Sequence, residues 1–224
     1  MLADPRAVAA RAATPRVRAL AELATLVTET PWSLSRAHHD RMRGAGLGDD
    51  ELLHAIALSA FFGHLNRIAD AVAVPLDYPV ERVAPAAEPA TPPYAAAPAA
   101  LRGTATATLA ARPATAAALD DWRRYVMDRN APLPHASRLA IARWVAALLG
   151  DGSSEMALAV DAMDTELRAL VEVTTLAPWR LGPAAYAALR ARGTSDEALF
   201  DAVVVASTAG VASRISVALA ALGR

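Results

Sequence analysis

One pattern of residues is written twice in this chain, each matched position of the second occurrence lying 147 places beyond the first. Pro31-Trp32-x-Leu34, Arg43, Gly46, Asp49, Leu52, Ala55, Gly63, Arg67, Ile68 and Ala71 return as Pro178-Trp179-x-Leu181, Arg190, Gly193, Asp196, Leu199, Ala202, Gly210, Arg214, Ile215 and Ala218. Upstream, RALAELATL (Arg18 to Leu26) matches RALVEVTTL (Arg168 to Leu176), with a three-residue difference in register absorbed at the turn. A unit repeated in this way needs neighbours to bury its apolar faces, so the repetition constrains the fold before it says anything of function.

The local pattern makes the repeated unit helical. Leu58, Phe61, Leu65, Ile68 and Val72 follow the three-then-four spacing of one helical face. Between Leu52 and Phe62 the helix is apolar on nearly every side, which suits the middle of a bundle. An acidic start at Asp49-Asp50-Glu51 complements the positive end of the helix dipole, and the helix ends before Pro75. A first helix over 15–29 stops at Thr30-Pro31, because the residue before a proline is pushed out of the helical region. A short helix from about Ser35 to Ala45 is capped by Ser33 or Ser35 and closed by Gly46.

Further helices are expected at about 113–129, 135–149, 154–176, 183–192 and 195–222, so the second unit exceeds the first by two helices. The 58 alanines favour helix throughout, since Ala loses no side-chain entropy there. The prolines between Tyr78 and Pro98 read as an extended linker. The expected organisation is all-α, with a first unit over 1–77, a linker over 78–100 and a longer second unit over 101–224. The long helices, 49–73 and 196–221, should pack within a homo-oligomer or within an intramolecular pseudo-dimer, since Leu58, Phe61, Phe62 and Leu65 exceed what three helices can cover.

Absences narrow the chemistry. There is no Cys, which removes thiolate catalysis, disulfides, Cys-ligated zinc and iron–sulfur clusters together. All 22 basic residues are Arg, so a Schiff-base lysine and a Walker-type phosphate loop are excluded too. A net charge of -1 without a basic stripe gives no nucleic-acid footprint. The N-terminus lacks a signal-peptide core and no run of apolar residues approaches the length that spans a bilayer, so a soluble, cytoplasmic chain is expected. No cofactor and no metal site is readable.

GLGDDELLHAIALSAFFGHLNRIADAVAVPLD, from Gly46 to Asp77, resembles the C-terminal part of the alkylhydroperoxidase D-like, or carboxymuconolactone decarboxylase, superfamily. LPHASRLAIARWVAALLG, from Leu133 to Gly150, is similar to the helix before the redox motif in its longer, peroxidase-related members. The resemblance implies a Cys-x-x-Cys-x-x-x-His motif with a relay glutamate. Aligned on Gly46, the motif falls on Pro31-x-x-Leu34-x-x-x-His38, and in the second unit on Pro178-x-x-Leu181-x-x-x-Ala185. The longer members would place it where this chain has Asp151-Gly-Ser-Ser-Glu155, with Arg138 near the relay position. A thiol route to peroxide is excluded because both sulfurs are missing.

The remaining polar chemistry clusters in the first unit. Four of the five histidines are His38, His39, His54 and His64, and their counterparts are Ala185, Tyr186, Asp201 and Val211. His38, at a family catalytic position, and His54 are the candidate acid–base residues; His38 is expected to face inward with Met42, and His39 to be the wetter neighbour. His54 shares a face with Phe61 and Leu65 and reads first as a core histidine with one hydrogen-bonded nitrogen. His54 and His64 stand about 15 Å apart along a helix, too far for one metal. Arg67, Asn66, His64 and His39 are the candidate substrate-binding residues; Arg67 would hold a small organic acid or else a helix-end carbonyl, and Gly63 would admit a neighbouring helix. Two readings follow: a non-catalytic binding or assembly module, and a repurposed non-redox enzyme using histidine as acid and base.

Overall fold

The structure is a computed structural model that describes residue 11 and residues 14–75, 113–151 and 163–222. The expected linker over 78–100 and the early part of the helix expected from 154 lie outside these residues. The described residues hold α1 (Pro15–Glu29), α2 (Arg36–Gly44), α3 (Asp49–Ala71), α4 (Pro113–Met127), α5 (His135–Leu148), α6 (Thr165–Leu176), α7 (Pro183–Ala191) and α8 (Asp196–Ala220), with no strand among them. One-turn 3-10 segments at Pro31–Ser33 and Pro178–Arg180 follow α1 and α6. The bounds of α2 and α7, and the starts of α3 and α8, keep the 147-residue spacing. Gly46 and Gly193 end the two short helices at φ of 90° and 88°, a conformation that favours glycine.

Local chemistry sets the helix starts. The Thr14, Asp164 and Ser195 side chains accept the N–H groups of Val17, Leu167 and Ala198. At α3 the Glu51 carboxylate accepts the Gly48 N–H at 2.9 Å. At its far end Ala73 N–H reaches the Asp70 carbonyl and Val74 N–H the Ala69 carbonyl. That double bond pattern places Ala73 in the left-handed region at φ 52°, where glycine is the usual occupant.

The two long helices, α3 and α8, pack on each other more extensively than any other pair, so the chain contains the expected intramolecular pairing. Around Leu23, Leu52, Ile56, Ile215 and Leu219 lies one apolar cluster, and around Ile141, Val145, Leu148, Val171 and Val205 a second. Trp122 of α4 packs against both. By length and composition α8 is apolar enough to cross a membrane, contrary to the sequence expectation, with 78% of its most apolar window buried inside the bundle.

A pair of arginines locks the long helices to the helix ends above them. Arg67 donates from Nε to the Thr175 carbonyl at 3.1 Å, from Nη2 to Thr28 at 2.9 Å and from Nη1 to Gly63 at 2.8 Å. Arg214 donates from Nε to Thr28 at 3.2 Å, from Nη2 to Thr175 at 2.9 Å and from Nη1 to Gly210 at 3.3 Å. Each guanidinium thus bridges the last turns of α1 and α6, at the negative ends of those helices. Burial lowers Arg67 to about 10, and burial with the neighbouring Arg67 charge lowers Arg214 as well.

Gly63 and Gly210 owe their identity to this fold-back. A Cβ on either would stand 2.7 Å from Nη1 of its own arginine, so each glycine makes room for the guanidinium; at Gly63 this replaces the neighbouring helix expected from sequence, while at Gly210 the Val145 side chain of α5 also lies 4.0 Å away.

The two long helices differ in what covers their outer faces. Along α8, Asp201 pairs with Arg138 of α5, accepting at 3.1 Å from Nη1 and again from Nη2. Fifteen positions on, Ser216 donates to Asp151, just beyond the end of α5, at 3.4 Å. Between these ties Val205 is fully buried and Thr208 nearly so. On α3 the corresponding residues His54, Leu58 and Phe61 are exposed, together with Phe62 and Leu65. The apolar spacing read from sequence is helical, but that stripe faces outward; the core face is Leu52, Leu53, Ile56, Ala60, Gly63, His64, Arg67 and Ala71.

Candidate functional site

The structure separates the histidines that the sequence groups. His54 is exposed on the outer face of α3, and a core histidine is not what it becomes. His38 is half-buried at the edge of α2, its Nδ1 paired at 2.7 Å with the Ser35 hydroxyl. The inward residue is its neighbour: His39 is fully buried, and its Nε2 donates to the Ala218 carbonyl of α8 at 3.2 Å. The buried face of α2 is centred between His39 and Met42, one helical turn apart, which leaves His38 at its margin.

His39 has an equivalent across the molecule. Tyr186, its counterpart on α7, donates its hydroxyl to the Ala71 carbonyl of α3 at 2.6 Å. Ala71 and Ala218 are themselves counterparts, so each short helix clasps the last turn of the opposite long helix. The substitution differs in one respect: His39 keeps a second ring nitrogen, Nδ1, buried with no hydrogen-bond partner. Burial lowers its pKa, partly offset by the Ala218 bond, with Arg43 and His38 lowering it further and Asp40 opposing.

His64 is also buried, its ring edge-on to Trp122 at 4.6 Å between centroids and its Nδ1 without a hydrogen-bond partner. Burial lowers its pKa, offset in part by a hydrogen bond with the Ser207 backbone. Arg67 has Nε and both Nη atoms on backbone carbonyls, so its geometry is that of the helix-end anchor. Asn66 is exposed beside it. Arg138, near the expected relay position, is fully buried and holds Asp201 together with the Leu133 and Val126 carbonyls. Among the described residues no three His, Cys, Asp or Glu side chains gather as metal ligands.

A cavity of about 330 Å³ lies between the two units, at the C-terminal end of α3. Ala71, Val72 and Ala73 form one side; Leu181, Gly182, Pro183 and Tyr186 form the next; Leu199, Phe200 and Val203 of α8 close it, with Arg190 and Asp196 beside them. Arg190 holds Asp196 through Nε at 2.5 Å and stands over the Tyr186 ring, 5.7 Å from its centroid. Burial raises the Tyr186 pKa, and the Arg190 charge partly opposes it. No histidine lines this cavity.

The matching corner of the first unit is lined by buried leucines. Leu34, Leu53, Leu219 and Leu222 are all buried there in a single cluster. Sequence reasoning missed the cavity because its walls come from segments more than 100 positions apart and its polar residues look architectural: Arg190–Asp196 repeats the Arg43–Asp49 pair, which is 2.7 Å long. The available signal was the pairing of Tyr186 with His39 at one repeat position.

No protein-family model matches the chain, and no curated protein matches it significantly.

Proposed function

We propose that this chain is a non-catalytic small-molecule-binding module, an internally duplicated relative of the alkylhydroperoxidase D-like or carboxymuconolactone decarboxylase superfamily whose redox chemistry is lost. The observation that carries the reading is the cavity of about 330 Å³ at the end of α3, a size that suits a small ligand. Its lining is apolar apart from Tyr186, Arg190 and Asp196, and each of these is engaged: the phenol with Ala71, the guanidinium with the carboxylate. General acid–base catalysis needs a positioned group free to exchange a proton, and the described lining supplies binding surface instead.

The ligand class is a small organic acid with an apolar body. Leu181, Phe200 and Val203 would take the body, and the Nη atoms of Arg190, whose Nε holds Asp196, are the donors a carboxylate would meet. The test is an NMR titration of the full chain with benzoate and with neutral benzamide. Benzoate should shift resonances of Val72, Tyr186 and Phe200; Val203→Phe should abolish the shifts by filling the cavity, and Arg190→Gln should weaken benzoate more than benzamide. Absence of binding by both probes overturns the reading. Turnover of a small organic acid that is lost in His38→Ala would favour the histidine-based enzyme instead.

A further inference from the structure

We propose that this chain pairs with a second copy of itself through the outer face of α3, the two α3 helices packing antiparallel about a two-fold axis between Phe61 and Phe62. The inference is independent of the cavity, which meets α3 only at its last residue, Ala71, and at Val72 and Ala73 beyond it.

The first argument is the comparison within the molecule. On α8 the face bearing Asp201, Val205 and Thr208 is covered lengthwise by α5, fixed by Arg138–Asp201 at one end and Asp151–Ser216 at the other. The same face of α3 carries larger apolar groups, met at Phe61 by the Trp122 ring of α4 at 6.2 Å between centroids and still largely exposed: Leu58 is 48% exposed, Phe61 40%, Phe62 54% and Leu65 44%. A contiguous apolar stripe of this kind marks an interaction surface.

The second argument identifies the occupant. The stripe reads Leu58-x-x-Phe61-Phe62-x-x-Leu65, the same in both directions. In a two-fold interface each copy presents one patch to itself, and antiparallel helices reverse the order of their side chains. Centred between Phe61 and Phe62, Leu58 of one copy meets Leu65 of the other and Phe61 meets Phe62, like facing like along the seam. The same register places His54 opposite Ala69, so no like charges are buried against each other. The axis falls within two residues of the middle of α3 (Asp49–Ala71), so the helices overlap along nearly their whole length. A foreign helix would place no such symmetry requirement on this stripe.

The experiment uses the full chain. Light scattering after size exclusion should give twice the chain mass of 23.3 kDa, and Phe62→Glu should return it to the single-chain mass with the helical circular dichroism unchanged. The absence of cysteine permits a register test with Leu58→Cys and Leu65→Cys. Oxidation of a mixture of the two variants should cross-link them, whereas each alone should not. The same residue on the two copies is displaced by seven positions, about 10 Å along the axis, beyond the reach of a disulfide. A wild-type mass of one chain, a dimer that survives Phe62→Glu, or equal cross-linking in the unmixed variants overturns the proposal. Should Phe62→Glu lose helicity, the cysteine mixture decides alone.

Discussion

Among the described residues the second unit covers the outer face of its long helix lengthwise, and the first does not. Asp201 of α8 is buried under α5 and bound to Arg138, whereas its counterpart His54 stands in water. Where each short helix meets the opposite long helix the order reverses: Leu34 and Leu53 of the first unit are buried with Leu219 of α8 and Leu222 just beyond it, and beside Tyr186 there is a cavity. A shared pattern of helix starts, glycine turns and arginine anchors therefore leaves two different openings. What distinguishes them is which elements cover the matched faces.

The sharpest way to break this comparison is at the matched positions Asp201 and His54. Asp201→Ala removes the buried partner of Arg138 and leaves a guanidinium without its carboxylate, which costs about 3–5 kcal/mol. His54→Ala, at an exposed site on the outer face of α3, should stay within about 0.5 kcal/mol. Urea unfolding of the two variants measures the contrast, and equal losses would remove the claimed difference in cover.

The glycines test where the units agree. Gly63→Ala and Gly210→Ala each put a methyl 2.7 Å from the arginine Nη1 that folds back on that carbonyl. Each should lose about 1–3 kcal/mol by overpacking, and by similar amounts because the two contacts are alike. A neutral result at either site would show that its guanidinium moves aside without cost.

At the end of α3, Ala73 occupies a left-handed position that the helical counterpart Ala220 does not. Ala73→Gly should raise stability by about 1 kcal/mol, the penalty a Cβ carries in that conformation, while Ala220→Gly should lower it by about the same amount. Thermal unfolding of both variants reads the opposite signs.

These contrasts also show what could be read in the sequence. Helix positions were legible because Pro31, Gly46, Pro75, Gly193 and the acidic start at Asp49 punctuate a strong periodicity. Which face of α3 points inward was not, because apolar residues line both: Leu52, Leu53 and Ile56 inside, Leu58, Phe61 and Leu65 outside. The choice between His38 and His39 turned on one helical step, and the deciding acceptor, the Ala218 carbonyl, is 179 positions away. Arg67 as a helix-end anchor was legible because Arg214 repeats it; its acceptors, Thr28 and Thr175, emerge only once both units are packed.

The smallest expected effect is on pH dependence, and it belongs to the first unit. His39 and His64 are buried there, where the second unit has Tyr186 and Val211. Burial lowers the folded-state pKa of both below the ordinary value of 6.5, so the unfolded chain takes up protons first as pH falls. Stability should therefore be level above about pH 7 and decline as pH drops below the unfolded value, by at most about 1.4 kcal/mol per pH unit for each histidine. The hydrogen bonds to the Ala218 carbonyl and with the Ser207 backbone offset part of the burial, which keeps the total modest. Writing the second unit's residue into the first, His39→Tyr, removes one titrating group while offering a hydroxyl to Ala218 as Tyr186 does to Ala71. Urea midpoints between about pH 8 and pH 5.5, above the carboxylate range, should fall less steeply in this variant than in the wild type. An unchanged slope would place the pH dependence elsewhere and leave the His39 and Tyr186 clasps equivalent in charge as well as in geometry.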